Sequence, residues 1–365
     1  MNLMKKLILF SLVFILASFY GLKAQEPQIN ENSAEKEAFE PGELIMEHIG
    51  DAYEWHIATF GDFHLSVPLL CLVYSENTGF HAFCASNLHH GSAEFEGFRI
   101  SQSEKYKGKL VEIVGNQEVR PWDFSITKNV FALLFSVCLI AFIFIKMKSY
   151  YQKNQGKAPH GFFNALELVV LFVRDDIAYA SLGKKHGDKF MPFLMTVFFF
   201  IFINNLLGLV PIFPGGANLT GNIAVTCVLA LFVFIITTIN GKKEYWLEIF
   251  WPNGTPWWLK MPPILPAVEI MGMFTKPIVL MVRLFANITA GHIIALGFFS
   301  LIFLFGANSP ASGYGVAPVS ILFTVFMSAL ELLVAFIQAY VFTLLSSIYF
   351  SMAVAEEHEE KPAVN

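Results

Sequence analysis

The chain has 365 residues, of which 55% are hydrophobic and only 15% are charged, and its net charge is −5. Soluble domains carry about 25% charged residues, so this composition predicts a polytopic membrane protein with one modest soluble domain. The negative charge balance excludes the basic surface of a nucleic-acid-binding protein. The sequence has no Walker, Rossmann or HExxH motif, and it therefore predicts no cofactor, bound nucleotide or zinc.

The first 43 residues divide into two parts. Residues 1–24 combine Lys5 and Lys6 with an apolar run from Leu7 to Tyr20 and the small Ala24. This pattern is typical of a cleaved signal peptide, and the alternative is an uncleaved membrane anchor. Residues 25–43 are polar and acidic and are predicted to form a flexible linker.

Residues 44–120 have the composition of a small β-rich domain, which the preceding signal would export. Short β-prone segments separated by Gly and Asn turns predict strands at His56–Phe60, His64–Leu70, Phe98–Ile100 and Lys109–Val114. Export would permit a disulfide between Cys71 and Cys84, although both thiols could equally be free. The histidines of this domain have no recognisable metal-ligand spacing, so surface or core positions are favoured over a metal site. They are His56, His64, His81, His89 and His90.

The rest of the chain is dominated by apolar segments long enough to cross a membrane. They are Ile126–Ile145, Phe190–Val210, Asn222–Ile239, Met261–Phe305 and Val319–Val354. The proline-containing Met261–Phe305 is either two spans, a re-entrant pair or one long tilted crossing. Phe162–Ala178 is predicted to be an amphipathic interfacial helix, with a tilted span as the alternative. The predicted fold class is an all-α polytopic membrane protein with about five transmembrane helices, two of them long and tilted near the C terminus, plus the exported β-rich domain.

The loop charges predict an orientation. With the N-terminal domain outside, the first internal loop, residues 146–189, holds eight Lys or Arg, and the next, residues 241–260, holds three. The outer loops at residues 211–221 and 306–315 hold none. This distribution follows the positive-inside rule and predicts a cytoplasmic C terminus.

Polar side chains interrupt the predicted membrane helices. Arg283 cannot lose its charge, and placing it at the bilayer centre costs at least about 2.5 kcal/mol, so it either faces a partner or wet cavity, or snorkels to the headgroups. Acid, histidine and amide chains carry protons through membranes, and the alternative is hydrogen-bonded glue between helices. The polar set comprises Arg283, Glu269, Glu331, His292, Asn205, Asn287 and Gln338.

Three segments resemble subunit a of the rotary ATP synthase, and the similarity extends over about residues 162–358. They are Arg283–His292 (RLFANITAGH), preceded by Lys276 and Pro277, then Gln338–Tyr349 (QAYVFTLLSSIY) and Ala353–His358 (AVAEEH). The resemblance implies a membrane ion-channel domain at 121–358 and a cytoplasmic tail at 359–365. It also implies a stator subunit that is not an enzyme on its own. The implied partners are a c-subunit ring, the b subunits of the peripheral stalk, the remaining ATP synthase and the lipid of a bacterial inner membrane.

The resemblance also implies residue roles. Arg283 matches the essential arginine that faces the rotor carboxylate, Asn287 and Gln338 match half-channel positions near it, and Glu269 matches an acid on the cytoplasmic exit side. His292 and Glu331 match an acid–base pair of the outer half-channel, in the order found in mitochondrial members and reversed from many bacterial ones. Asn205 lies before the Pro211 loop, as in the family.

Two positions depart from the pattern of some members, and three other functions compete with this prediction. Val279 stands where some members have Ser and Gly208 where some have Asp. A secondary transporter would carry an internal repeat, which the sequence lacks. An intramembrane hydrolase would need a nucleophile, for which Ser346 and Ser347 are candidates without a supporting motif. A structural anchor would not need Arg283, Glu331 and His292.

Overall fold

A computed structural model describes residues 41–60, 63–91, 93–103, 105–115, 117–210, 213–251 and 264–355. The predicted signal peptide, the predicted linker up to residue 40 and the predicted tail at 359–365 lie outside these residues.

The N-terminal region is a short helix followed by three small antiparallel sheets. The helix α1 spans Pro41–Ile49 and therefore begins within the last three residues of the predicted linker. Proline favours a first helical position because its fixed φ suits the helix and its missing N–H has no partner there anyway. The sheets have strand orders β1-β2, β4-β3-β8 and β5-β6-β7. The strands are β1 (Glu54–Phe60), β2 (Phe63–Pro68), β3 (Leu70–Ser75), β4 (Gly79–Cys84), β5 (Phe98–Ile100), β6 (Leu110–Val114), β7 (Gln117–Val119) and β8 (Trp122–Asp123).

This region has its own apolar core, which is tied together by one buried tyrosine. Cys71, Phe83 and Phe98 pack in the core beside Tyr53. The Tyr53 hydroxyl donates to Asp123 Oδ2 at 2.5 Å and accepts from the Leu110 N–H at 3.2 Å. Burial, with the Asp123 hydrogen bond, raises the pKa of Tyr53 above its ordinary value. The hydroxyl therefore stays protonated and links three segments that are distant in sequence.

Cys71 and Cys84 are both free thiols. Cys71 pairs with Phe83 across the β3–β4 hairpin, and Cys84 pairs with Leu70. Successive side chains of a strand point to opposite faces, so the two thiols lie on opposite faces of the hairpin. The disulfide that the sequence left open is not formed.

Five helical runs of the described residues are long and apolar enough to cross a membrane, as the sequence predicted. The first of these membrane-length helices, α2, follows its N-cap Thr127, whose hydroxyl accepts a hydrogen bond from the Val130 N–H. Its basic C-terminal end remains helical, so it runs eight residues beyond the predicted Ile145. The helices are α2 (Lys128–Lys153), α3 (Phe162–Phe172), α4 (Ala180–Leu209), α5 (Ile223–Asn240), α6 (Lys243–Phe250), α7 (Ile264–Asn308) and α8 (Pro310–Val354).

The predicted interfacial helix and the second predicted span follow one another directly and are separated by a kink. Helix α3 continues through π-helical turns at Val173–Tyr179 directly into α4. A kink occurs at Gly183, whose φ of 67° is open to glycine but strained for other residues. The backbone at Gly183 is not helical, and the mainly charged residues 184–189 interrupt the hydrophobic pattern directly after it.

The last two helices form a long antiparallel pair. Each contains 45 residues and would be about 68 Å long, roughly twice the hydrocarbon thickness of a bilayer. Both must therefore tilt or extend beyond the hydrocarbon. Helix α7 passes Pro277 without a break, which confirms the single long crossing among the sequence alternatives.

Aromatic side chains fill the core of the membrane region. Phe190 of α4 stacks on Phe350 of α8 with ring centroids 4.8 Å apart, and Phe198 and Phe199 are fully buried beside them. On α7 the inward stripe is Leu280, Leu284 and Ile288. Helix α8 packs against both α4 and α7, and α5 packs against α7. The face of α7 that carries Val279, Val282 and Arg283 stays exposed, and we call it the uncovered face.

The β-rich region is fastened to the start of α2. The Lys128 N–H donates to the Ala52 carbonyl at 2.8 Å, and the Asn129 N–H donates to Asp51 Oδ1 at 3.0 Å. Two of the otherwise unpaired N–H groups of the helix start are thus satisfied by the N-terminal region.

Candidate functional site

His292 of α7 and Glu331 of α8 face each other inside the membrane region. His292 Nδ1 lies 3.7 Å from Glu331 Oε1, and the side chains are 20% and 11% exposed. A Cβ on Gly291 would lie only 2.8 Å from the same oxygen, so a residue without a side chain at 291 makes room for the carboxyl group. The pairing of His292 with Glu331 is therefore built into the contact of the two helices.

A cavity of about 160 Å³ surrounds this pair. It brings together Asn205, Asn287, His292 and Glu331, four of the seven residues singled out in the sequence. Its other walls are mainly aliphatic, so the polar groups are few and converge on one volume. The lining is completed by Leu209, Ile288, Gly291, Met327, Leu330, Val334 and Ala335.

Asn205 is held in place by two hydrogen bonds. It is only 4% exposed, its Nδ2 donates to the Ala335 carbonyl at 3.2 Å, and its Oδ1 accepts from Thr220 Oγ1 at 2.5 Å. A buried amide with both ends occupied has a fixed orientation. One of these bonds ties α4 to α8, and the other ties α4 to the segment that precedes α5.

Arg283 lies on the uncovered face of α7. It is exposed, whereas its neighbours Leu280 and Leu284 are buried. Asn287, one helical turn further on, is exposed and also lines the cavity, so the cavity opens to the surface beside Arg283. Among the residues that the structure describes, Arg283 forms neither an ion pair nor a hydrogen bond. Its charge is available to a group outside this chain.

Besides Arg283, two predicted residues do not line the cavity. Gln338 is 4% exposed on α8, two turns from Glu331, and packs within the helical core. Glu269 is exposed on α7, about 21 Å along the axis from Arg283 and close to the same face. The structure thus separates an acid at one end of the uncovered face from the cavity near its middle.

Two further residues that shape the site were not singled out from the sequence, and Gly208, which was noted there, also lies beside it. Thr220 orients Asn205, and Gly291 makes room for Glu331. At Gly208, where some members of the resembling family have Asp, a Cβ would lie 3.7 Å from His292 Nε2. Gly291 is part of the RLFANITAGH segment and could have been noticed there, whereas Thr220 carries no signal in the sequence.

The serines considered as nucleophiles have structural roles. Ser346 Oγ donates to the Phe342 carbonyl of its own helix at 2.8 Å. Ser347 Oγ shares a hydrogen bond of 2.5 Å with Ser181 Oγ between α8 and α4. Within the described residues, no three His, Cys, Asp or Glu side chains are grouped as metal ligands would be.

Comparison with known proteins places this site in a family. Residues 130–351 match the family described as ATP synthase A chain, and residues 44–124 match a domain of unknown function (DUF8433). The chain is 42% identical to ATP synthase subunit a of Chloroherpeton thalassium over 66% of this chain and 70% of that protein. It is 44% identical to ATP synthase subunit a of Myxococcus xanthus over 65% of this chain and 75% of that protein. The chain therefore belongs to the ATP synthase subunit a family and carries an additional β-rich N-terminal region.

Proposed function

We propose that this chain is the stator proton-channel subunit of an ATP synthase membrane sector, in which two offset half-channels and Arg283 couple proton movement to rotation of a c-subunit ring. The observation that carries the proposal is the position of Arg283. A permanent cation lies exposed on a membrane helix, beside a cavity that holds an acid, a base and two amides. An unpaired cation at this depth costs free energy, so a carboxylate outside the chain is its natural partner.

The cavity is proposed to be part of the first half-channel. Asn205, His292 and Glu331 offer proton donors and acceptors within one small volume, and Asn287 carries the path to the surface beside Arg283. Gln338 is proposed to support the same path from α8. A rotor carboxylate that receives a proton here becomes neutral and is then free to move into lipid.

Arg283 is proposed to separate the two half-channels. Its charge favours the ionised form of a passing rotor carboxylate, so protons are released before the carboxylate reaches it. The same charge repels a proton that would otherwise cross directly. Glu269, four turns away near the same face, is proposed to accept the released proton in the second half-channel. The membrane potential supplies about 2.3 kcal/mol per proton per 100 mV.

The proposed orientation has the N-terminal region outside and the C terminus in the cytoplasm. Lys189 donates to Asn240 at 2.6 Å, and the Lys242 N–H donates to the Ala353 carbonyl at 2.9 Å. The basic start of the apolar part of α4, the end of α5 and the end of α8 are thus at one end of the bundle. Grouped positive charges at that end favour the cytoplasmic side. The proposed location is a bacterial inner membrane, reached with a signal peptide at 1–24.

The competing transporter function receives no support from these helices. Transporter sites are commonly built where spanning helices are broken near the membrane centre. Helices α7 and α8 continue without a break past Arg283, His292 and Glu331. The b subunits and the c ring remain the proposed partners, together with the rest of the ATP synthase.

The test uses the complete ATP synthase in energised vesicles. Arg283→Ala is expected to abolish proton-driven ATP synthesis, and Arg283→Lys is also expected to fail, because lysine can release its proton and lacks the planar guanidinium. Val282→Ala, at an exposed neighbouring position, serves as the control for assembly and is expected to retain synthesis. ATP synthesis near the wild-type rate in Arg283→Ala would overturn the proposed function.

A further inference from the structure

A buried tryptophan makes one of the contacts between the β-rich region and the membrane region. Trp55 of β1 is only 3% exposed. Its ring lies edge-on to Phe213, with centroids 5.3 Å apart, and to Phe131 of α2, with centroids 5.8 Å apart. Ala217 is buried in the same cluster. Phe213 and Ala217 belong to residues 213–222, the part of the α4–α5 connection that we call the cavity loop.

Trp55 is not part of the core of its own region. That core is a separate cluster around Tyr53, Cys71 and Phe98. Trp55 is buried by its strand partner Val67 together with α2 and the cavity loop. An indole buried against another part of the chain stabilises the contact between the two parts, since aromatic residues bury large apolar areas.

The other side of the cavity loop contacts the proton site. Thr220 Oγ1 donates to Asn205, and Thr289 Oγ1 of α7 donates to the Gly221 carbonyl at 3.3 Å. A Cβ built on Gly208 would lie 3.4 Å from the Ala217 carbonyl and 3.7 Å from His292 Nε2. The cavity loop therefore lies between Trp55 and the polar groups of the cavity.

The cavity loop is packed tightly enough to transmit a displacement. Ala217, Asn218, Leu219 and Thr220 are all buried. The Gly216 N–H donates to the Leu207 carbonyl at 2.9 Å, and a Cβ on Gly215 would meet the Val210 carbonyl at 2.5 Å. Close-packed segments shift together rather than compress, so a change at Phe213 reaches Thr220.

We propose that the β-rich N-terminal region is a positioning element for the proton path, acting through Trp55 on the cavity loop. Trp55 is a positioning residue, since it touches neither the cavity nor the proton-carrying groups. It holds Phe213 and Ala217, which keeps Thr220 in place to orient Asn205. The inference rests on the proposed function, because it assigns the region a role in the path that ends at Arg283.

The experiment compares variants of the complete ATP synthase, reconstituted in vesicles and stripped of its nucleotide-binding head to measure passive proton conduction. Trp55→Ala and Phe213→Ala are expected to lower conduction roughly tenfold, the size of loss that a displaced supporting contact produces. Trp55→Phe, which keeps an aromatic ring at this position, is expected to retain most of the wild-type proton conduction. Phe80→Ala is the matched control, because Phe80 is 64% exposed on β4 of the same region.

A second readout separates positioning from general loss of structure. Conduction is measured while the pH is varied on one side of the membrane at a time. In Trp55→Ala and Phe213→Ala, the pH dependence is expected to shift only for the side that carries the β-rich region. Labelling of the core thiol Cys71 reports whether the β-rich region stays folded in Trp55→Ala. Phe213→Ala changes no residue of that region, so a loss of conduction in this variant cannot be attributed to a change in the core of the β-rich region.

The inference would be overturned if Phe213→Ala conducted protons like the wild type with an unchanged pH dependence. The proposed function would survive that result provided that Arg283→Ala still abolished ATP synthesis. An equal shift for both sides of the membrane would overturn it as well. Failure of the proposed function would be recognised differently, by normal ATP synthesis in Arg283→Ala whatever the state of Trp55.

Discussion

His292 and Glu331 meet across the α7–α8 contact, with Nδ1 3.7 Å from Oε1, and both side chains line one cavity. Neither helix alone presents an acid–base pair at this level. The pair is a property of the contact, so the proposed proton transfer would require only that one helix carries the acid and the other the base.

The first prediction concerns exchange of these two residues. The double variant His292→Glu with Glu331→His is expected to conduct more protons than either single variant, because it alone keeps one acid and one base. Passive proton conduction in vesicles containing the membrane sector is the measurement. Equal loss in all three variants would show that the direction of the pair matters and would contradict the prediction.

The second prediction concerns the space beneath Glu331. Gly291→Ala places a Cβ 2.8 Å from Glu331 Oε1, closer than real side chains approach, so the carboxyl group must move. Such overpacking costs about 1–3 kcal/mol. Proton conduction is expected to fall roughly tenfold or more, because the site tolerates little displacement.

The control for this substitution is Gly297→Ala on the same helix. A Cβ at Gly297 meets nothing within 4 Å. Conduction in this variant is expected to equal that of the wild type. If Gly291→Ala also conducted normally, Glu331 would have no fixed position that matters for the path.

The third prediction concerns the hydrogen bond that orients Asn205. Thr220→Val removes the donor to Asn205 Oδ1 and leaves a buried carbonyl oxygen without this partner, at a cost of about 1–3 kcal/mol. Proton conduction is expected to fall, since the amide loses its fixed orientation. Thr275→Val is the matched control, because Thr275 is exposed and bonds only to the Met271 carbonyl of its own helix. Comparable loss in both variants would contradict a specific role for Thr220.

The fourth prediction concerns the thiols of the β-rich region. Burial, helped by the nearby Asp123 carboxylate, raises the pKa of Cys71 from 9.0 to about 12. At a pH between 9.0 and about 12, the Cys71 thiol stays protonated in the folded protein, whereas it ionises in the unfolded protein. The stabilisation from this burial is therefore present below pH 9.0 and is lost as the pH rises towards 12.

Maleimide labelling of the intact complex checks that both thiols are free and that Cys71 is the more deeply buried of the two. Cys84 is expected to react faster than the fully buried Cys71 in the native protein, and both are expected to react in detergent-denatured protein without a reductant. Thiols of the denatured chain that reacted only after reduction would reveal a disulfide and contradict the free state. Cys71→Ser and Cys84→Ser assign each label.

Much of the membrane region was predictable because its helices are set by local hydrophobicity. The apolar runs predicted all five spans. Of the residues predicted for the proton path, Asn205, Asn287, His292 and Glu331 line one cavity, whereas Gln338 and Glu269 do not. Helix ends were less predictable, since the basic end of α2 and the charged start of α4 remain helical without being apolar. Strands β1, β2, β5 and β6 were predicted to within two residues at each end, whereas α1, β3, β4, β7 and β8 were not predicted.

What could not be predicted depends on contacts between distant segments. Thr220 lies in a loop and gains its importance only because that loop folds against Asn205. Trp55 precedes the predicted strand His56–Phe60 and carried no signal in the sequence, because its partners Phe131 and Phe213 follow it by many residues. The separation of Cys71 from Cys84 required the register of the β3–β4 hairpin, which the spacing of the two residues does not give.

The contact of Trp55 with Phe213 also bears on how the chain matures. Two membrane-length helical runs, α2 and the continuous run from α3 to α4, separate the two residues in sequence. A chain threaded from its N terminus exposes Trp55 long before Phe213 emerges on the same side of the membrane. Docking of the indole thus becomes possible only after the second helical run has been inserted, and burial of Trp55 marks that stage of biogenesis.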